Sequence, residues 1–587
     1  MQKQGSIFDF INTNKNNANK TPDKAKNIGS TNKEMISKVS SEDSKMEATT
    51  FTTVDDINKE INNPANETQK RNQDSEEIEQ FNKETKSEIL ENNAIPYVNN
   101  KKETKPKSNQ NTQSTINNTK NAANIVTTTN DSKLDKSTEK SYNFNDLAMQ
   151  LSPLENVKGK GSKDIIKEAI ANIFETLILE YPNDLVRVYY FLLCSNGPEY
   201  RTKEMGIGNE IVQKCVSKAI GKNEKIIRES MKEIGDLGII AYEGKGTLGT
   251  MDGFFIKKTE KTEEKIITMK NIFDSYNDIV NLSGNSSVFE KEKILLKLLF
   301  NCKKDEIKFL VRSLYKPKTL KIGASFKTII SSLARGIYKI YTDKHKTKKS
   351  HNISEKEIER TLLVSINQMP DYDIIMQQVI ELVSNGVDFM SLLDRCPITL
   401  GIPLRPMLAK PTTGIQIIFQ RFEGVPFTCE WKYDGFRGQI HGYRNEDDNF
   451  IVQVFSRNLE NMTEAYPDVV QFFMDNFSDK SFILDCEIVP YDPNTNKILP
   501  FQTLTTRSRK NVNLKDITVK VCLFLFDIIY LNGQTYIDVT LEERRKILMS
   551  NFKETDEIKF AVNITSENAE DIETIMKEAV DAGKSLF

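Results

Sequence analysis

Lys432 lies in the stretch CEWKYDGFRGQIH (429–441), after a run of β-forming residues and before the turn pair Asp434-Gly435. This spacing predicts a lysine at a strand-to-turn edge with Arg437 nearby. A free lysine has a pKa of about 10.4, so losing its proton at pH 7 costs more than about 4 kcal/mol before the amine can act as a nucleophile. Neighbouring cations lower that pKa, and Arg437 and a bound Mg²⁺ are plausible sources. The same pattern also suits an ordinary surface lysine beside a hairpin turn.

Histidine and cysteine offer few other reaction centres. The chain has three histidines, His345, His351 and His441, so neither a multi-histidine metal centre nor a Ser-His-Asp relay has obvious members. Its seven cysteines are scattered, odd in number and without CxxC spacing, which argues against a disulfide framework or a zinc site and favours a reducing compartment. The chemistry therefore rests on lysine, arginine and carboxylates.

The overall composition limits the classes of partner. A net charge of −2 gives no global basic signal, so any contact with nucleic acid must come from local patches. No apolar run approaches the roughly 20 residues that span a bilayer, and the N-terminus lacks a secretory or transit pattern. We therefore expect a soluble intracellular protein without a membrane partner.

Three regions must position these residues. Residues 12–144 are rich in Asn, Lys, Thr, Ser and Glu, and predict a disordered linker. Residues 145–395 repeat apolar residues every three or four positions, which predicts an all-α domain. In residues 400–587 the period changes toward two, and Asn532-Gly533 follows the last long β run as a hairpin signal. This last region predicts an α+β domain with antiparallel sheets.

The lysine segment has the pattern KxDGxR, which resembles the signature of covalent nucleotidyltransferases: ATP-dependent DNA and RNA ligases and mRNA capping guanylyltransferases. Further stretches stand in the order and spacing of eukaryotic ATP-dependent DNA ligases: PMLA (406–409), FSRN (455–458), LDCEIV (484–489) and FLFDIIYLNG (524–533). The passage PFQTLTTRSRK (500–510) is similar to the replicative type in particular. The resemblance implies a multidomain enzyme with a helical DNA-binding domain and a nucleotidyltransferase, or adenylation, domain.

The resemblance also implies a reaction. Lys432 would attack the α-phosphorus of ATP and form a lysine-AMP phosphoramidate, with Mg²⁺ neutralising charge on the phosphates. AMP would then pass to a 5′-phosphate at a nick, and the adjacent 3′-hydroxyl would displace it. Replication, repair and recombination of DNA are the expected settings, with a monomer in the nucleus and nicked duplex DNA as substrate.

The matching motifs assign expected roles to residues of the nucleotide pocket. Glu430 would accept a hydrogen bond from the adenine amino group, and Phe526 would stack on the adenine ring. Arg437 and Arg457 would contact ribose or phosphate. Glu487 would hold ribose or a metal-bound water. Taken singly, Glu487 also suits an exposed strand position and Phe526 an ordinary core position.

The helical domain of the family encircles nicked duplex, so this region should carry phosphate contacts. Glycine turns in GPEYRTKEMGIG (197–208) let backbone amides approach phosphates, and GNSS (284–287) could precede a helix that starts near Phe289. A basic cluster follows in LVRSLYKPKTLKIG (310–323), which alone would suggest only a solvated surface. The expected DNA-binding residues are Gly206, Gly208, Ser286, Arg312, Lys316, Lys318 and Lys321.

The extreme N-terminus resembles the peptides that dock on the replication sliding clamp. Gln4, Ile7, Phe10 and Ile11 fit the pattern Qxx(I/L/M)xx followed by two aromatics, except that Ile11 replaces the second aromatic. Residues 1–11 are therefore expected to bind the clamp, and the linker would raise the local concentration of the catalytic body at nicks.

One family feature is missing from the sequence. Nothing after Lys432 matches the EGxxxK strand, and the OB-fold domain that follows it is expected to be absent. We therefore expect severely impaired self-adenylylation and no efficient nick sealing by this chain. The alternative function is a non-catalytic protein that binds nicked DNA or the sliding clamp and derives from a ligase. A capping guanylyltransferase ranks third, because it would lack the helical domain and would use GTP.

Overall fold

The structure is a computed structural model that describes residues 140–201, 204–246, 266–284, 286–343, 353–412, 415–495, 497–508, 512–582 and 585–586. The predicted clamp peptide (1–11) and residues 12–139 of the predicted linker lie outside the described residues. Among the helices of the described part, none combines the length and the apolar character that crossing a membrane requires.

The described residues from 140 to 395 are mainly helical, as their sequence period predicts. The helices are α1 (Phe144–Leu151), α2 (Ser162–Glu180), α3 (Leu185–Leu192), α4 (Asn209–Ile220), α5 (Glu224–Ile234), α6 (Leu237–Gly244), α7 (Met269–Asn281), α8 (Ser287–Asn301), α9 (Lys304–Leu314), α10 (Phe326–Thr342), α11 (Glu355–Gln368), α12 (Tyr372–Asn385) and α13 (Leu392–Arg395). We refer to them together as the helical region.

A continuous apolar core holds the helical region together, and it extends from Tyr142 to Cys396. Helices α2 and α10 approach closely at Gly336, where an added Cβ would lie 2.9 Å from the carbonyl oxygen of Ala171. Polar side chains begin several helices: Asp236 caps α6 and Asp371 caps α12 by accepting backbone N–H groups of the first turn. The core is thus formed by the apolar faces that the sequence predicts, and caps set several helix starts.

The region after residue 412 alternates strands and helices. Its elements are α14 (Ile415–Arg421), β1 (Phe427–Lys432), β2 (Phe436–Arg444), β3 (Phe450–Ser456), α15 (Pro467–Phe477), β4 (Phe482–Asp492), β5 (Lys497–Ile498), α16 (Phe501–Thr505), β6 (Val521–Leu531), β7 (Gln534–Thr535), α17 (Leu541–Asn551), β8 (Ile558–Phe560), β9 (Asn563–Ser566), α18 (Ala569–Asp581) and β10 (Ser585–Leu586). We call this part the sheet region.

Two sheets form the sheet region. One has the order β3-β2-β4-β6-β7, with β5 added to β4 and β8 to β6; the other has the order β10-β1-β9. All pairs are antiparallel except β6 with β8, so the predicted antiparallel α+β character is confirmed with one parallel exception. The predicted hairpin is also present, because Asn532 and Gly533 adopt φ values of 46° and 91° and join β6 to β7.

Candidate active site

Lys432 is the last residue of β1, at the point where the chain leaves one sheet for the other. β1 lies between β10 and β9, and Lys432 is opposite Ser585 in the register with β10. The next strand, β2, belongs to the larger sheet. The Lys432 Nζ lies 3.6 Å from Asp434 Oδ1, and the lysine side chain is 41% exposed. The amine is therefore reachable from solvent at the junction of the two sheets.

The turn after Lys432 requires glycine at position 435 for a steric reason. A Cβ on Gly435 would lie 2.3 Å from the carbonyl oxygen of Ile488 and 3.0 Å from Glu487 Cγ. Without a side chain, the turn lies directly against β4, and the Gly435 N–H donates a hydrogen bond to Glu487. The Asp-Gly pair of the motif thus brings the lysine turn against the strand that carries Glu487.

Glu487 lies opposite Arg437 in the β2–β4 register. Burial raises the pKa of its carboxyl to about 7, while the charges of Lys432 and Arg437 and the hydrogen bond from Gly435 act in the opposite direction. A bound cation would favour the ionised carboxylate further. The described residues contain no cluster of three or more metal-ligating side chains. A single carboxylate such as that of Glu487 fits Mg²⁺, which binds one or two carboxylates and completes its coordination shell with phosphate oxygens and water.

Arg437 connects the site to a second carboxylate, which is buried. Its guanidinium forms an ion pair with Asp485 on β4 and lies 5.6 Å from the ring centroid of Phe526. Phe526 is half-buried and packs against a small apolar cluster that includes Tyr433 and Phe524. The arginine and the aromatic ring that the motifs assign to the nucleotide therefore lie next to each other.

Glu430, two residues before the lysine on β1, forms an ion pair with Arg545 of α17. The Arg545 Nε also donates to the carbonyl oxygen of Phe526 at 3.4 Å. Arg545 Nη1, on the guanidinium that pairs with Glu430, is buried and has no hydrogen-bond partner among the described residues. Buried donors without partners are costly, so a ligand that supplies acceptors would be favoured here.

Arg457 is exposed directly after β3. Gly438 lies opposite Ser456 in the antiparallel register, so Arg457 follows at the strand end beside Arg437. The register alone brings it toward the site.

Sequence reasoning missed Arg545 and assigned no role to Asp485, Gln439 or His441. Arg545 lies in LEERRKI (541–547), a charged helix segment without a recognised motif, so only the fold brings it to Glu430. Asp485 lies within LDCEIV, two residues before Glu487, and Gln439 and His441 lie within the lysine stretch itself. For Gln439 and His441, the available signal was their alternation with Arg437 along a single predicted strand.

In the helical region, four of the predicted DNA-binding residues line one cavity of about 330 Å³. These residues are Gly206, Gly208, Lys316 and Lys318. Gly208 precedes α4 and has no side chain that could cap the first turn of this helix. Backbone N–H groups therefore remain available at the start of α4. Lys316 is exposed, and its N–H and carbonyl group bind the side chain of Asn209 at 2.8 and 3.0 Å. This arrangement suits an anion.

Arg312 departs from the predicted basic surface, and its assignment as a phosphate contact is corrected. It lies on α9, a helix buried along most of its length, and only 4% of its side chain is exposed. Its Nη2 and Nη1 are 2.9 Å from Asp236 Oδ2 and Glu155 Oε2, respectively. Lys321, although exposed, also lies 3.0 Å from Asp236. The arginine is a buried structural partner rather than a free surface cation.

Ser286 occupies the N-cap position of α8, because the helix begins at Ser287. This start lies two residues before Phe289, near which the sequence predicted it. Its side chain accepts no capping hydrogen bond in the structure. Lys291 of α8 donates to the carbonyl oxygen of Met205 at 2.8 Å and links this helix to the loop that carries Gly206 and Gly208. The clamp residues Gln4, Ile7, Phe10 and Ile11 lie outside the described residues.

Comparison with known proteins identifies both regions. Residues 143–334 match the family model described as DNA ligase N terminus, and residues 406–585 match the model described as ATP dependent DNA ligase domain. DNA ligase 1 of Dictyostelium discoideum is 37% identical over 444 residues, which are 73% of this chain and 35% of that protein. DNA ligase 1 of Schizosaccharomyces pombe is 38% identical over 418 residues, which are 71% of this chain and 52% of that protein.

The chain thus spans from about a third to about half of the length of these relatives. Among solved structures, the mycobacterial DNA ligase D complexed with ATP and MES matches at 20% identity over 27% of this chain and 47% of that chain. Its TM-score of 0.22 is too low to support an argument about the fold. From its two family matches and its eukaryotic relatives, the chain belongs to the ATP-dependent DNA ligase family, of which it carries the N-terminal domain and the ATP-dependent ligase domain.

Proposed function

We propose that this chain carries the nucleotidyl-transfer chemistry of an ATP-dependent DNA ligase that seals nicks in duplex DNA. The uncharged amine of Lys432 attacks the α-phosphorus of ATP, so a nitrogen–phosphorus bond forms, the bond to pyrophosphate breaks and the amine proton leaves to solvent. AMP then passes to the 5′-phosphate at a nick, and the 3′-hydroxyl of the neighbouring strand displaces it.

The observation that carries the proposal is the grouping of charges around the exposed lysine. Lys432 and Arg437 both act on the half-buried carboxyl of Glu487, and Arg437 lies over Phe526. Such a site offers a nucleophile, cations for phosphate oxygens and an aromatic face within one sheet junction. An ordinary surface lysine beside a hairpin would need none of these neighbours.

The pocket beside Glu430 supports adenine as the base. Arg545 binds the Glu430 carboxylate and orients it, and the donor Arg545 Nη1 is buried there without a partner among the described residues. A purine offers ring nitrogens as acceptors and an exocyclic amine as a donor, so it can satisfy both kinds of group. Glu430 would accept from that amine.

Mg²⁺ belongs to the proposal through Glu487. When bound, the ion would neutralise charge on the phosphates of ATP, and Glu487 would hold it directly or through water. Burial raises the pKa of this carboxyl to about 7 and so disfavours its ionised form, whereas a cation bound nearby would lower the pKa and favour the carboxylate. Asp434, 3.6 Å from the lysine amine, keeps the positive charge of the resting lysine compensated.

We assign nicked-duplex binding to the helical region, through the cavity lined by Gly206, Gly208, Lys316 and Lys318. The uncapped start of α8 at Ser286 would add a further phosphate contact. Lys321 can contribute to the local positive field, but Asp236 already compensates part of its charge. Clamp docking through residues 1–11, a monomeric state, a nuclear location and roles in replication, repair and recombination complete the proposal.

Labelled ATP tests the central step. The chain is incubated with [α-³²P]ATP and Mg²⁺ and analysed on denaturing gels, beside the variants Lys432→Ala and Lys546→Ala. Lys546 is an exposed lysine on α17 paired with Glu542, so it controls for loss of a surface lysine. We expect weak covalent labelling of the unmodified chain and of Lys546→Ala, and none of Lys432→Ala.

Equal labelling of Lys432→Ala and the unmodified chain would contradict the proposed nucleophile. If the unmodified chain takes no label but shifts nicked duplex more strongly than intact duplex in a gel, the non-catalytic nick-binding alternative is favoured. Labelling with GTP in preference to ATP would instead favour a capping type of nucleotidyltransferase.

A further inference from the structure

A line of buried polar side chains runs from Arg437 away from the lysine. Arg437, Gln439 and His441 occupy alternate positions of β2, so their side chains lie on one face of the strand. Arg437 pairs with Asp485, Gln439 Nε2 donates to Asp485 Oδ1 at 3.2 Å, and His441 Nε2 lies 3.0 Å from Gln439 Oε1. We call these four residues the β2 network.

The far end of the β2 network binds the segment that joins the helical region to the sheet region. The N–H of Gly401 donates to His441 Nδ1 at 3.0 Å, and the N–H of Leu404 donates to Gln439 Oε1 at 2.7 Å. The following residue, Arg405, donates its N–H to the carbonyl oxygen of Asn367 in the helical region at 2.9 Å. Residues 401–405, the joining segment, therefore form hydrogen bonds with both regions.

The hydrogen bonds permit one arrangement of protons. Burial lowers the pKa of His441 to about 3, so its imidazole is neutral. Because Gly401 donates to Nδ1, the single imidazole proton is on Nε2 and is donated to Gln439 Oε1. This oxygen accepts two hydrogen bonds, and the amide nitrogen is left to donate to Asp485. A flipped amide would place donors against donors, so the network has a defined orientation.

The orientation of the β2 network has a consequence for Arg437. Asp485 is buried, and its two oxygens are used by different partners: Oδ1 by Gln439 and Oδ2 by Arg437. Gln439 therefore fixes the carboxylate against which Arg437 is held. Removing the glutamine amide would leave Asp485 Oδ1 without its donor, and the carboxylate and the guanidinium could both rotate away from their present position.

We infer that Gln439 and His441 are positioning residues, which hold Arg437 in the nucleotide site and fasten the joining segment to the same network. The inference rests on the proposed function for the role of Arg437 toward ATP. Because one network binds both Arg437 and the joining segment, order in the joining segment and affinity for ATP are thermodynamically linked. ATP binding should therefore reduce local opening of residues 401–405. Gln439 and His441 act through Arg437 and are assigned no contact with the nucleotide.

The test measures both ends of the network in the full chain without requiring catalysis. ATP affinity is measured by isothermal titration calorimetry, and hydrogen exchange is followed at the Gly401 and Leu404 amides with and without ATP. The test variant is Gln439→Met, which keeps the side-chain length and removes the amide. The control is Asp468→Asn, which weakens the ion pair between Asp468 of α15 and Arg507, a pair that includes no residue of the β2 network.

In the unmodified chain and in Asp468→Asn, ATP should slow exchange at Gly401 and Leu404 at least threefold. In Gln439→Met, the Kd for ATP should rise at least tenfold, and exchange at Leu404 should be faster and insensitive to ATP. His441→Asn keeps an acceptor for Gly401 but is too short to reach Gln439. This second variant should change both quantities in the same direction by a smaller factor, and it serves if Gln439→Met fails to fold.

An unchanged Kd for ATP in a folded Gln439→Met or His441→Asn variant would overturn the inference. So would exchange at residues 401–404 that does not respond to ATP in the unmodified chain while ATP binds. If the unmodified chain binds no ATP at all, the proposed function fails instead, and the positioning role toward ATP falls with it. The Leu404 exchange rates then still report whether Gln439 fastens the joining segment.

Discussion

Two clusters of positive charge, one in each region, were predicted to face phosphates. The side chains of the two clusters have different environments in the structure. Around Lys432 the charges converge on an accessible amine, and Arg437 is held beside it by Asp485. In the helical region the predicted cluster divides: Lys316 and Lys318 line a cavity, whereas Arg312 is buried between Asp236 and Glu155. Similar residue types thus serve a site in one region and the core in the other.

The difference follows from how far apart the determining residues are in the chain. Lys432, Gly435 and Arg437 are joined by one tight turn, so local geometry alone brings them together. The exposure of Arg312 depends on which neighbours cover α9, and its partners lie 76 and 157 residues earlier in the chain, at Asp236 and Glu155. Charge type and spacing do not indicate such partners.

The largest effect that separates the two clusters is expected from Arg312→Ala. The change leaves the buried carboxylate of Asp236 without its principal partner, and breaking a buried ion pair costs about 3–5 kcal/mol. We expect a loss of that size in the free energy of unfolding, measured by urea denaturation. Lys316→Ala is the control and should remain close to the unmodified chain. A stable Arg312→Ala variant with weakened DNA binding would restore the arginine to the phosphate surface.

A smaller effect is expected at Glu487, and it depends on pH. Because burial raises the pKa of this carboxyl to about 7, the folded chain binds the proton more tightly than the unfolded chain. Its contribution to stability is therefore greatest at low pH and declines as the pH rises from about 4.5 to 7. Glu487→Gln should remove this decline. The free energy of unfolding of the variant, minus that of the unmodified chain, should therefore be larger at about pH 8 than at about pH 5 by roughly 1–3 kcal/mol.

Thermal unfolding at several pH values checks the Glu487 prediction, with Glu542→Gln as a control for an exposed carboxylate. Glu487→Gln should also bind ATP with Mg²⁺ more weakly than the unmodified chain does. This measurement separates the role of Glu487 in the site from its effect on stability. A pH dependence equal to that of the unmodified chain would show that Glu487 titrates normally and would weaken the case for a cation at this position.

The smallest effect is expected from the cavity lysines. Lys316→Ala and Lys318→Ala should each weaken binding to nicked duplex only a few-fold, because each removes about one phosphate contact. Together they should reduce the slope of log K against log salt by about two, as measured by fluorescence anisotropy. Lys214→Ala, at a lysine paired with Glu292, is the control and should leave the slope unchanged. An unchanged slope in the double variant would remove this cavity from the proposed DNA surface.

Much of the fold could be predicted because it depends on local patterns. The helical period predicted over residues 145–395 corresponds to the helices of the helical region, and the change of period predicted after residue 400 corresponds to the strands of the sheet region. The start of α8 was predicted near Phe289, yet the helix begins at Ser287, because helix ends vary by one or two residues and the apolar period does not define them.

By itself the sequence determined the nucleotidyl-transfer motif, the order of the two regions and the hairpin at Asn532-Gly533, since each is written in neighbouring residues. Tertiary structure alone decided that Arg545 meets Glu430, that Arg312 is buried, and that Gln439 and His441 bind residues 401–404. These outcomes depend on contacts between segments far apart in the chain. Burial then sets the strength of each charge and hydrogen bond, and no local pattern encodes burial between distant elements.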